Sequence, residues 1–206
     1  MADALVIFKP DSSHRLAARA AVWDWLSSER DWKIEGLGWF QPPRSLIEVH
    51  YDFLEGRPFF PWLVRFMSSL PLLVGRISAG AATLEEMRFE LGETRIAESR
   101  PGSLRELYGI GGGVNVLHLS DSPESGAKET ALWSDHVDLD RVQVETAGGA
   151  GAPDHTWHLR SLAAQYAAGV HKDAAARAMG ALLREESDLD AAGFDALVGV
   201  ILGAFD

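Results

Sequence analysis

Val114-Asn-Val-Leu-His-Leu-Ser-Asp-Ser122, with Glu129 seven residues further on, is the stretch that decides how this chain is read. Val114, Val116 and Leu117 form a short apolar run behind Gly111-Gly-Gly113, the pattern of a buried strand that delivers His118 at its end. Ser120, Asp121 and Ser122 put hydroxyls and a carboxylate within reach of that ring. A histidine acting as a nucleophile needs such partners, because they fix its tautomer. Pro123-Glu-Ser-Gly-Ala-Lys-Glu-Thr-Ala-Leu-Trp133 then reads as a helix with Ser122 as its N-cap, and it carries Glu129 as a second carboxylate.

Working outward, Ala4-Leu-Val-Ile-Phe8 is apolar and β-rich, as a central strand covered on both faces should be. It ends at Lys9-Pro-Asp11, where a lysine at a strand edge can meet a phosphate in a crevice as a point charge. From Ser12 or Ser13, both good N-caps, to about Glu29 the spacing of Leu16, Ala20, Trp23 and Leu26 predicts an amphipathic helix with Arg15 and Arg19 on its wet side. Trp32 to Phe40 reads as a strand stopped by Pro42-Pro43, and Ser45 to Leu54 as a helix bearing His50 and Tyr51. Gly56-Arg-Pro-Phe-Phe-Pro61 marks a turn into a helix from Trp62 to Ser69. Phe59 and Leu63, four apart, can form one wall of an apolar slot for a nucleobase. Leu70 to Ile77 is a third strand, and Ala82 to Phe89 a helix that brings in Arg88. Between Leu91 and Gly113 the pattern is that of an extended loop, and a loop of that length in a compact domain is usually functional.

Strands near 3–9, 32–41, 71–78 and 114–119, separated by helices in the order βαββαβ, describe an α+β, ferredoxin-like sandwich with inserted helices. The full motif set is more specific. Asn115-Val-Leu-His118-x-Ser120-Asp-Ser122 followed by Glu129, preceded by Arg88, Leu91-Gly-Glu-Thr94, Pro101-Gly and Arg105, resembles the nucleoside diphosphate kinase family. Phe8-Lys-Pro-Asp11, His50-Tyr51 and Arg57-Pro-Phe-Phe60 belong to the same match, which runs over roughly residues 3–135.

The resemblance implies the same fold, and a histidine at position 118 that takes the γ-phosphate of a nucleoside triphosphate and passes it to a diphosphate. It also implies that Tyr51 stands beside the γ-phosphate and His118, and Asn115 near the ribose hydroxyls. Glu129, with Ser120 alongside, would orient the imidazole, and the protein would form a homo-oligomer. The residues fit that chemistry. Phosphoryl transfer depends on positioning and charge neutralisation, and Lys9, Arg88 and Arg105 supply three cations while Thr94 adds a hydroxyl. A covalent phosphohistidine makes the kinetics ping-pong, and Mg²⁺ is expected to arrive with ATP or another triphosphate on the substrate phosphates rather than in a protein carboxylate cage. The partners are then nucleoside di- and triphosphates. Two alternatives stand beside this reading: a family member specialised for another acceptor in a dedicated pathway, and a non-catalytic nucleotide-binding or interaction protein.

The chain departs from the family pattern at Ser12-Ser13, at Glu106-Leu-Tyr108, at Gly111-Gly112, at Val114 and at Leu119, which follows His118 where glycine is usual. Leu119 matters most, because a side chain there could narrow the approach to His118 or alter the strand's exit. Beyond the match the sequence divides into a kinase-like domain at 1–140, a Gly/Ala-rich linker at 141–154 containing Thr146-Ala-Gly-Gly-Ala-Gly-Ala-Pro153, and an all-α C-terminal extension at 155–206. In that extension Leu159, Leu162, Tyr166 and Val170 share one stripe, Ala175, Met179, Leu182 and Leu183 a second, and Phe194, Leu197, Val198, Ile201 and Leu202 a third. Such helices must pack on each other, on the domain or on a neighbour. His155, His158 and His171 lack metal-site spacing.

Composition is that of a water-soluble globule: 206 residues, 47% hydrophobic and 24% charged, with no cysteine. The lack of cysteine, and of a basic leader at the start, leads to the expectation of a cytoplasmic protein. No apolar run approaches the roughly 18 residues that a membrane span needs. A net charge of −11 argues against general nucleic-acid binding while leaving room for a local basic cluster.

Overall fold

The computed structural model describes residues 2–28, 31–141 and 151–206. Four strands form one antiparallel sheet in the order β2-β3-β1-β4: β1 (Ala2–Phe8), β2 (Trp32–Phe40), β3 (Leu72–Ala79) and β4 (Leu117–Leu119). This is the ferredoxin-like arrangement expected from the order of elements, with extra helices at the C-terminal end. The inner strand β1 is buried from Ala4 to Phe8 and sorts its side chains by alternation. Ala4, Val6 and Phe8 join a core with Val22, Leu26, Leu84 and Met87. Leu5 and Ile7 join the opposite core with Leu46, Ile47, Phe66 and Trp133.

β4 begins three residues later than the apolar run suggests. Val116 sits at φ 68°, and its backbone is taken by the N-terminal turn rather than by a sheet partner. Its N–H donates to Asp11 Oδ2 at 2.9 Å, and its carbonyl accepts from Lys9 N and from the Ser12 hydroxyl. The three residues of β4 pair with Val6, Ile7 and Phe8, which puts His118 opposite Ile7.

Among the described residues six α-helices precede β4: α1 (Pro10–His14), α2 (Leu16–Leu26), α3 (Arg44–His50), α4 (Phe60–Ser68), α5 (Ala81–Leu91) and α6 (Leu104–Tyr108). The single helix expected from Ser12 is in fact two, broken at Arg15, whose backbone is extended at φ −95°, ψ 110°. Ser12 and Ser13 do not cap a helix start; both are buried, and Ser13 Oγ donates to Phe8 O at 2.8 Å. The helix end expected at Glu29 lies outside the described residues. Arg15 and Arg19 are buried, not on a wet face, because the C-terminal helices cover them. Arg15 pairs with Glu186 and donates to Tyr108 O and Thr156 Oγ1, and Arg19 pairs with Asp188 at 3.8 Å.

Helix α7 (Pro123–Ser134) starts at Ser122, which accepts from Ser125 N while the Ser125 hydroxyl accepts from Ser122 N. That reciprocal pair satisfies two otherwise orphaned N–H groups. The helix lies so close to β1 that a Cβ on Gly126 would stand 2.1 Å from Asp3 O. Helices α8 (Thr156–Ala167), α9 (Lys172–Glu186) and α10 (Ala191–Leu202) then bury Leu159, Met179, Leu183, Leu197 and Ile201 in the same core as α3 and α4. Val170, counted on the first stripe, is half exposed, because α8 ends at Ala167. Most of the expected linker, 142–150, lies outside the described residues.

Candidate active site

Strand alternation aims Leu117 and Leu119 into the core under α2 and α5 and leaves His118 on the face that α7 covers. Leu119 is therefore buried away from the ring, and only its carbonyl turns outward, accepting from Arg88 Nη1 at 2.9 Å. The expectation that its side chain narrows the approach to His118 is not met.

Glu129 meets His118 from α7. His118 Nε2 lies 2.9 Å from Glu129 Oε2, and Ser120 Oγ donates to the same oxygen at 2.6 Å. Burial alone would raise the Glu129 carboxyl, but hydrogen bonds from His118 and Ser120 and the nearby imidazole hold it below its usual value. An ionised Glu129 can only accept, so His118 Nε2 carries the proton and Nδ1 keeps its lone pair.

His50 lies edge-to-face with His118, ring centroids 4.7 Å apart. Trp133 donates its indole N–H to His50 Nδ1 at 3.1 Å, which fixes the His50 proton on Nε2. Burial, helped by the neighbouring His118, pushes the His50 pKa down to about 3, so the ring is neutral at physiological pH. The sequence motif contains His50 but gives it no role, and nothing local links it to a tryptophan 83 residues away. His50, His118 and Glu129 each bring a donor atom within 4.8 Å of the others, the one converging set of this kind among the described residues. His50 Nδ1 is taken by Trp133, and His118 Nε2 and Ser120 both meet the Glu129 carboxylate, which fits a histidine being oriented better than a resident metal.

Tyr51 completes the ring cluster, edge-to-face with His118 at 6.2 Å. Burial and the Glu129 charge push its phenol well above the usual range. Its hydroxyl is buried without a hydrogen-bond partner among the described residues, which leaves a donor for a further acceptor near His118.

A cavity of about 1660 Å³ opens in front of these groups. Of the residues expected to act in catalysis or nucleotide binding, all line it except Ser120, which reaches Glu129 from behind. Lys9 is held at the end of β1 by Asn115 Oδ1 at 2.6 Å and Gly113 O at 3.3 Å. Burial, and then the Arg105 charge, pull its pKa down to about 7, against an opposing pull from Asp11. Arg105, on α6, donates to Gly92 O, Leu117 O and Asn115 O, so three of its five N–H donors knit the loop to β4. Burial and Arg88 lower its pKa to about 10, which keeps it cationic. Arg88 pairs with Asp121 at 2.5 Å. Asn115 is fully buried and donates to Thr94 O at 2.8 Å, so its amide is occupied by Lys9 and Thr94. Thr94 itself is exposed at the cavity edge. Phe59 is 48% exposed and Leu63 buried, so the two form the mouth and the floor of an apolar end rather than one even wall.

The geometry therefore joins an unprotonated imidazole nitrogen, three basic side chains and an apolar mouth in one cavity. Comparison with known proteins points the same way. The family model described as Nucleoside diphosphate kinase matches residues 2–139. Among curated proteins, the nucleoside diphosphate kinase of Chloroflexus aggregans is 37% identical over 133 residues, 65% of this chain and 87% of that one. That of Ginglymostoma cirratum is 34% identical over 138 residues, 67% and 89%. Among solved structures, the Aquifex aeolicus nucleoside diphosphate kinase superposes with a TM-score of 0.59 at 31% identity, covering 68% of this chain and 99% of that chain. The Halobacterium salinarum enzyme in complex with CDP superposes at 0.56 and 29% identity, covering 68% and 93%.

Proposed function

Because the chain belongs to the nucleoside diphosphate kinase family, we propose that it moves the γ-phosphate of a nucleoside triphosphate to a nucleoside diphosphate through a phosphohistidine on His118. The observation that carries this reading is the His118–Glu129–Ser120 relay, which leaves Nδ1 as the free nucleophile in front of a cation-lined cavity. The Nδ1 lone pair forms a bond to the γ-phosphorus as the bond to the β,γ-bridging oxygen breaks, and the diphosphate leaves. A second diphosphate enters the same cavity, its terminal oxygen attacks the phosphohistidine, and Nδ1 recovers its lone pair. The proton stays on His118 Nε2, donated to Glu129, throughout.

Lys9, Arg88 and Arg105 neutralise the phosphate charge, and the free Tyr51 hydroxyl donates to the phosphoryl group. Mg²⁺ would arrive with the triphosphate as part of the substrate and offset some of its phosphate charge. The nucleobase sits at the apolar mouth by Phe59 and Leu63, where stacking accepts any base. The burial of Leu119 removes one motive for a specialised acceptor. Similar rates on the common diphosphates would reject that alternative.

Incubation with ATP labelled on its γ-phosphate tests the mechanism. The protein is expected to retain label, then to release it as a labelled triphosphate on addition of any nucleoside diphosphate. A protein that turns over without retaining label would refute the covalent step.

A second expectation follows from Lys9. With a pKa of about 7 in the open cavity, Lys9 is largely neutral at pH 8, and contact with polyphosphate favours its charged form. Binding therefore takes up protons at pH 8, and affinity falls as pH rises above 7. Calorimetry with Mg·ADP in buffers of different ionisation enthalpy measures the uptake. Proton release, or an uptake that survives Lys9→Met, would refute the assignment.

A further inference from the structure

The wall of the cavity opposite α7 is not built by the kinase-like domain alone. Arg160 and Ala204, both from the C-terminal helical region, line the cavity together with Ile110 and Gly111 to Gly113. Arg160 projects from α8 and donates from Nε to Gly109 O at 2.6 Å and from Nη2 to Arg105 O at 3.2 Å and to Glu106 O. These carbonyls belong to α6 and the residue after it. A five-residue helix has few internal hydrogen bonds to hold its C-terminal end, so a guanidinium taking three carbonyls there supplies much of its order. Arg105, on the same helix, reaches the other way to Gly92, Asn115 and Leu117.

The glycines that follow are shaped by the same region. Gly111 sits at φ +156°, and a Cβ there would stand 3.0 Å from the Phe205 ring. A Cβ on Gly113 would stand closer still, 2.7 Å from the Trp62 ring, and Trp62 donates its indole N–H to Val200 O of α10 at 2.8 Å. The departures from the family pattern at Gly111-Gly112 thus coincide with the place where the C-terminal end lies against the loop.

We propose that Arg160 is a positioning residue for nucleotide binding, and that through it the C-terminal helices shape the 105–113 wall of the pocket. The proposal rests on the reading of this cavity as the nucleotide site. Without the guanidinium, α6 frays and Arg105 loses the orientation in which it faces a phosphate.

The test uses the full chain, with Mg·ADP binding measured by calorimetry and turnover by steady-state kinetics. Arg160→Met should raise the Kd and the KM about tenfold, as loss of charge-assisted hydrogen bonds does, with kcat changed less than about threefold. Arg160→Lys should recover part of the loss. Ala204→Leu, which narrows the same wall, should weaken binding without lowering the melting temperature. Arg184→Met is the structural control. Arg184 stacks 3.4 Å over Phe194 and donates to Leu189 O within the C-terminal helices, so its loss should lower the melting temperature and leave the Kd unchanged. An unchanged Kd in Arg160→Met, or an equal rise in Arg184→Met, overturns the proposal while the kinase reading stands. A wild-type chain that does not bind Mg·ADP removes both.

Discussion

His118→Ala is expected to lower kcat by a factor on the order of 10⁵ or more, the scale seen when a covalent nucleophile is removed from an enzyme. None of the other groups in the cavity replaces it. His50 is pinned in the wrong tautomer by Trp133, and the Tyr51 phenol is held protonated far above neutral pH. The charges proposed to bind nucleotide remain, because Lys9, Arg88 and Arg105 are held by Asn115, Asp121 and backbone carbonyls and not by His118. Affinity for Mg·ADP should therefore change little, while retained label from γ-labelled ATP disappears. A coupled assay and a binding isotherm on the same preparation check both halves. A residual rate within about tenfold of wild type would mean that the chemistry does not pass through this ring.

Glu186→Ala is expected to be the most damaging single change to stability. Arg15 and Glu186 are both fully inaccessible to solvent, and Glu186 also accepts from His155 N. Removing one member of a buried pair strands the other charge, at a cost of about 3–5 kcal/mol. For a chain of this size that corresponds to a melting temperature lower by about 10 °C. Arg15 keeps bonds to Tyr108 O, Thr156 Oγ1 and Asp154, but among these only Asp154 carries charge, and its carboxylate is partly exposed. Arg15→Met combined with Glu186→Leu should recover much of the loss, since the penalty comes from the stranded charge and not from the absent bond. Thermal and denaturant unfolding of the two variants beside the wild type decide it. A single mutant within about 1 kcal/mol of wild type would mean that water reaches Arg15.

The two cases differ in how far the sequence anticipates them. His118, Glu129 and Ser120 lie within twelve positions, and a strand end followed by a capped helix fixes their geometry locally. Lys9 is legible for a similar reason, at the end of an unmistakable central strand. The βαββαβ order is legible because each element carries its own periodicity. Periodicity reports which face of a helix is apolar, however, and not what covers the other face. Arg15 and Arg19 read as solvated because their partners, Glu186 and Asp188, lie at the far end of the chain. His50 and Trp133 read as unrelated for the same reason, and Val116 reads as strand because its left-handed backbone is imposed by Asp11 and Ser12. Arg160 and Ala204 carry no motif, and only the folded chain brings them to the cavity.

The pairing of Arg15 with Glu186 spans 171 positions, and that of Trp62 with Val200 spans 138. On a ribosome the residues of the catalytic relay emerge well before these partners exist, and an early domain would have to wait with a bare cation and an unseated aromatic ring. The wall of the cavity is thus completed only once Glu186 and Val200 have been added, well after the residues around His118 have been made.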